Sequence, residues 1–113
     1  MKKLAQLVLA ASLGFSANYA TADAISDAAM SDIRTAKAKV RDEYRNPQQT
    51  LRFFGLTSDM TVVEVSPGGG WYADIISSVV KGDGQYVAAH YYVDESTNDY
   101  YKKALAGFKD QTK

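Results

Sequence analysis

The stretch Thr61-Val62-Val63-Glu64-Val65-Ser66-Pro67-Gly68-Gly69-Gly70-Trp71-Tyr72-Ala73-Asp74 constrains the chain more than any other. A short β-branched run reaches an acid, meets a glycine-rich turn and passes into a helical pattern. That order predicts a strand, a loop of exposed backbone N–H groups and a helix N-terminus. Such a junction suits an anionic or polar ligand of the nucleotide-cofactor type. Gly68 and Gly70 supply positive φ and close approach to the backbone, and Glu64 can accept a hydrogen bond from an ammonium group or a water.

The flanking patterns extend the unit. Thr61 to Val65 is continuously apolar apart from Glu64, which suits a strand covered on both faces, as in a parallel sheet. A helix is predicted from about Trp71 to Val80, with Ile75, Ile76, Val79 and Val80 inward. Lys81-Gly82-Asp83-Gly84 reads as a turn, Gln85 to Tyr91 as a second strand, and Asp94 to Asn98 as a capping loop. Tyr100, Tyr101, Ala104, Leu105 and Phe108 mark a last helix. A strand–helix–strand order makes the two strands parallel neighbours. Ligands in such folds sit at the carboxyl ends of the strands, so Ser66–Gly70 and His90–Asp94 are expected on one edge.

Ahead of this unit, residues 23–60 read as a helical lead-in. One helix is predicted over Asp23–Arg45, with Ile25, Ala29, Ile33, Ala36, Val40 and Tyr44 as a weak apolar stripe. Asp32, Arg34, Lys37, Arg41 and Asp42 are assigned to a solvated face. Asn46 is expected to cap a second helix through its side chain, with Pro47 at the first position. Leu51, Phe53 and Phe54 form its apolar side, and Gly55 the left-handed position beyond it.

Residues 1–22 read as a leader. Met1-Lys2-Lys3 is cationic, Leu4 to Phe15 is apolar apart from Gln6 and Ser12, and Ala20-Thr21-Ala22 is an A-x-A cleavage pattern. The apolar run is too short to anchor in a bilayer. The expected location is therefore outside the cytoplasm, in a bacterial periplasm or secreted, with no membrane association once the leader is removed.

Composition narrows the function classes. The chain has 113 residues, with Lys plus Arg at 13 and Asp plus Glu at 13. Removing the leader removes Lys2 and Lys3, so the remainder is mildly acidic. No basic track suggests nucleic acid. The absence of cysteine excludes disulfides and thiolate metal sites, and no metal set or catalytic residue is singled out.

Several motifs compete for the turn. No Lys-Ser or Lys-Thr follows the glycines, against a phosphate-transferring P-loop. Glu64 occupies the first glycine position of a nucleophile elbow, against Ser66 as a nucleophile. The dinucleotide fingerprint is met by Gly68, Gly70 and Ala73, although the ribose-binding acid expected some way downstream is replaced by His90.

The block Val62-Val63-Glu64-Val65-Ser66-Pro67-Gly68-Gly69-Gly70 resembles the first motif of class I S-adenosylmethionine-dependent methyltransferases. With Trp71-Tyr72, Ala88-Ala89-His90, Arg45-Asn46-Pro47, Phe53-Phe54-Gly55 and Tyr100-Tyr101-Lys102-Lys103, the chain looks like a group of exported bacterial predicted methyltransferases. The resemblance covers nearly all of the chain after the leader. It implies a Rossmann-like, doubly wound α/β fold of which residues 61–113 are the first βαβα portion. The cofactor implied is S-adenosyl-L-methionine, a small-molecule partner with the methyl acceptor unassigned. The positions implied to bind it are Glu64, Ser66, Gly68, Gly69, Gly70, Tyr72 and His90. Ser66 stands where the motif has its first glycine, and His90 where most members carry an acid for the ribose hydroxyls; Asp94 is a candidate substitute. Trp71 and Tyr72 could stack on a cofactor or pack the helix start. Later strands and a substrate-binding part are missing, so the chain is expected to be an N-terminal portion, inactive alone. The alternative is a non-catalytic exported module that binds an NAD-like nucleotide or a partner.

Overall fold

The computed structural model describes residues 24–111, and the expected leader lies outside them. The elements in chain order are α1 (residues 24–30), α2 (Ala36–Val40), α3 (Asp42–Arg45), α4 (Pro47–Phe53), β1 (Thr61–Val65), α5 (Ala73–Val80), β2 (Gln85–Ala89) and α6 (Asp99–Gln111). β1 and β2 pair in parallel, from Thr61 opposite Gln85 to Val65 opposite Ala89, as the strand–helix–strand pattern predicts. The result is a mixed helix and strand arrangement around a two-stranded parallel sheet, a partial α/β fold.

The core is built by α5. Ile75, Ile76, Val79 and Val80 are all buried, as their three- and four-residue spacing requires. They meet Ile25, Ala28 and Ala29 of α1 together with Leu51 and Leu56, while Val62, Tyr72 and Tyr86 pack at the margin. A fully buried side chain of this size contributes roughly 1.5–3 kcal/mol, so α5 holds the sheet to the lead-in.

The expectation that β1 is covered on both faces is corrected. Val62 and Glu64 turn toward the core, but Val63 and Val65 are exposed, Val65 at 76%. The alternation is that of a strand with one covered face among the described residues. Phe53 of α4 and Phe54 just after it are exposed as well, leaving Leu51 as that helix's buried apolar residue beside Pro47.

The single helix expected over Asp23–Arg45 is also corrected: it is broken twice. Thr35 is extended and caps α2 by accepting from Ala38 N–H at 3.1 Å. The break shifts the apolar stripe out of phase, so Ile25 and Ala29 are buried while Ile33, Val40 and Tyr44 are exposed. Arg34, expected on the solvated face, is 2% exposed. Its guanidinium donates to the Ala29 carbonyl at 2.6 Å and to both oxygens of Asp42 at 2.6 and 2.8 Å. Such a fork offsets the cost of burying the charge.

Asn46 does not cap α4 with its side chain. It is left-handed (φ 45) and closes α3, with its N–H on the Asp42 carbonyl at 2.8 Å. Pro47 disfavours a right-handed helical residue before it, and Asn tolerates the left-handed region. Pro47 does begin α4, and Gly55 (φ 71) ends it in a Schellman turn, with Leu56 N–H on the Leu51 carbonyl at 3.0 Å. The second strand stops at Ala89, and Asn98 caps α6 by accepting from Tyr100 N–H at 2.8 Å.

Candidate functional site

The turn lies just past the carboxyl end of β1. Ser66 N–H donates to the Ala89 carbonyl at 2.9 Å, continuing the ladder by one residue. The chain then leaves the sheet through three positive φ angles, Ser66 at 54, Gly68 at 58 and Gly70 at 80. Gly68 and Gly70 take the conformation expected of them. Ser66 takes it too, at a position where a side chain costs roughly 1–2 kcal/mol. Inside the turn Gly70 N–H donates to the Pro67 carbonyl at 2.9 Å. The N–H groups of Gly68 and Gly69 donate to no acceptor among the described residues. Above Gly68 and Gly69 the space is open: no atom lies within 4 Å of where a Cβ would stand.

α5 begins at Ala73, two residues later than expected, which leaves Trp71 and Tyr72 in the turn. Trp71 is buried and donates from Nε1 to the Ala38 carbonyl at 2.9 Å, so it packs the helix start and ties α2 to the turn. The guanidinium carbons of Arg34 and Arg45 lie 5.5 and 4.9 Å from its ring centroid, within cation–π reach. Tyr72 meets Trp71 edge-on at 4.6 Å.

The expected site residues fall into three neighbourhoods. Glu64 and Tyr72 line a small apolar cavity of about 190 Å³ with Thr50, Leu51, Val62 and Ile76. Gly68 and Gly69 line a larger cavity of about 560 Å³ with Lys37, Arg41 and Arg45. Gly70 and His90 lie under Phe108 of α6, which is 7% exposed and whose ring is 4.5 Å from that of His90. A Cβ on Gly70 would stand 3.2 Å from the same ring.

Glu64 is not a free carboxylate. Tyr86 of β2 donates its hydroxyl to Glu64 Oε2 at 2.6 Å. The two residues are diagonal neighbours on one sheet face, since Tyr86 pairs with Val62. Burial chiefly, and then the bond to Glu64, push the Tyr86 hydroxyl well above its ordinary pKa. His90 has both ring nitrogens buried with no hydrogen-bond partner among the described residues. Asp94, the candidate substitute, accepts from the Ser96 hydroxyl at 2.7 Å and the Thr97 hydroxyl at 3.1 Å within its own loop. These bonds, with that from Ser96 the larger cause, hold its carboxyl below the usual range.

Sequence reasoning missed Lys37, Arg41 and Arg45, Tyr86 as the partner of Glu64, and Phe108 as the cover of His90. A signal existed for the first set, since residues four apart share a helix face. Among the described residues, no His, Asp and Glu cluster is fit to hold a metal ion, and no helix is long and apolar enough to cross a membrane. Compared with known proteins, the chain matches no family model, no curated protein and no solved structure.

Proposed function

We propose that this chain is the cofactor-binding portion of an exported, Rossmann-like S-adenosylmethionine-dependent methyltransferase. The observation that carries the reading is Ser66. It holds φ 54 at the first glycine position of the motif, so the turn keeps a glycine-like backbone where its sequence departs. The parallel β1–α5–β2 order and the open space above Gly68 and Gly69 support the same reading.

In this proposal Glu64, oriented by Tyr86, accepts from the ammonium of the cofactor's methionine part. Ser66, Gly68, Gly69 and Gly70 let it pass against the backbone, and Tyr72 packs behind Glu64. The cofactor would supply a methyl group made electrophilic by its sulfonium, and the protein's share would be positioning it. Gly68 and Gly69 are open to such a ligand, Glu64 lines a separate cavity, and a ribose hydroxyl reaches the His90 ring only if Phe108 moves. The methyl acceptor has no assigned residues.

Calorimetric titration of S-adenosylmethionine and S-adenosylhomocysteine into the purified chain tests the reading, with circular dichroism establishing that the chain is folded. The expected result is binding that Glu64→Gln weakens. A folded chain that takes up NAD and neither methionine cofactor overturns it in favour of a nucleotide-binding module.

A further inference from the structure

The larger cavity has a chemical character that the methyltransferase reading does not use. Lys37, Arg41 and Arg45 stand four residues apart across α2 and α3, and all three line it together with Pro67, Gly68 and Gly69. Like charges at this spacing repel, at about 0.2–0.5 kcal/mol per pair. None of the three forms an ion pair among the described residues. Asp42, the acid next to Arg41, has both oxygens committed to Arg34. Arg45 lies over the Trp71 ring at 4.9 Å, and Trp71 is held to the Ala38 carbonyl, so Arg45 has a placed neighbour at the cavity. Gly68 and Gly69 line the same cavity, and their N–H groups donate to no acceptor among the described residues. Cations and unpaired backbone donors lining one cavity are what an oxyanion binds.

We propose that Lys37, Arg41 and Arg45, with the backbone N–H groups of Gly68 and Gly69, form a binding site for a small polyanion. The group it takes is a phosphoryl or polycarboxylate group carrying more than one negative charge. A single carboxylate would leave most of the positive charge unmatched. The site shares Gly68 and Gly69 with the proposed cofactor turn, but its cations and its test go beyond that reading, because it uses neither Glu64 nor His90 and is probed without S-adenosylmethionine.

The test uses inorganic pyrophosphate, citrate and acetate, titrated into the full chain at low ionic strength. Pyrophosphate is expected to bind and acetate to bind far more weakly. Raising salt toward about 0.15 M should weaken the pyrophosphate signal by screening. The double variant Lys37→Gln/Arg41→Gln should lose about tenfold or more in affinity, whereas Lys81→Gln, outside the cavity, should lose none. Equal binding of citrate identifies a site that reads charge; pyrophosphate alone identifies a phosphoryl site. Backbone amide shifts in the unmodified chain give a second readout: Gly68 and Gly69 should move on adding pyrophosphate, while Gly82 and Gly84 stay. No binding by a folded chain at millimolar pyrophosphate, full affinity in the double variant, or shifts only around Gly82 would each overturn the proposal. None of these outcomes depends on whether S-adenosylmethionine binds.

Discussion

The sheet has a glycine-rich turn at each end, and Gly84 in one and Gly68 in the other use glycine for opposite reasons. At the amino end of β2, Gly84 is pressed against the protein itself. A Cβ there would stand 2.4 Å from the Met60 carbonyl oxygen and 2.6 Å from that of Ser58. At the carboxyl end of β1, Gly68 needs its left-handed angle, yet nothing lies within 4 Å of where its Cβ would be. Gly84 gives its missing side chain to the chain's own packing, whereas Gly68 leaves the space open. A glycine run in sequence does not distinguish these cases; the surroundings do.

The largest effect should come from Gly84→Ala. Overpacking against backbone that cannot swing aside should cost about 3 kcal/mol, the upper end for added core volume. It should also disturb the Gln85 N–H bond to Met60 that opens the ladder. Denaturant unfolding followed by circular dichroism measures it. Gly68→Ala should cost roughly 1–2 kcal/mol, the strain of a left-handed alanine and nothing more. If the two variants prove equally damaging, the contrast between the turns is wrong. Ser66→Gly should raise stability by up to about 1 kcal/mol, since it removes a similar strain while loosening the unfolded chain. A loss of stability there would mean the Ser66 side chain does more than occupy the bend.

The smallest effect at neutral pH concerns the face between the turns. The Tyr86 hydroxyl titrates above its ordinary 10.0 in the folded chain. Its stabilisation is therefore fully present below pH 10 and is lost as pH rises through the folded value. Thermal unfolding across alkaline pH should show that fall, and Tyr86→Phe should flatten it.

The legible parts of this fold were those fixed by short-range pattern. Ile75, Ile76, Val79 and Val80 announce a buried helix face by their spacing, and the strand–helix–strand order fixes parallel pairing. The turn's conformation was legible at Gly68 and Gly70, where glycine itself is the signal. The lead-in was misread because Thr35, a good cap, lay inside an apolar stripe that looked continuous. Arg34 could not be placed from sequence, since its burial depends on the Ala29 carbonyl and Asp42 being folded toward it. The cations facing the glycines were visible as a spacing, but only the folded lead-in aims them at the turn. That Glu64 meets Tyr86 follows from strand register, and that Phe108 covers His90 follows from where α6 packs; neither is a local property of the sequence.

The ring of Phe108 sets a clock as well as a boundary. A ligand group bound for His90 would have to wait for the Phe108 ring to move aside, because that side chain packs against the imidazole. Its association rate would climb with concentration only until every opening is used, then level at the frequency of opening. The affinity read at equilibrium would be diluted by the fraction of time the ring is away. Trimming the ring with Phe108→Ala should lift that ceiling, exchanging some of the hold of α6 on the sheet for faster entry.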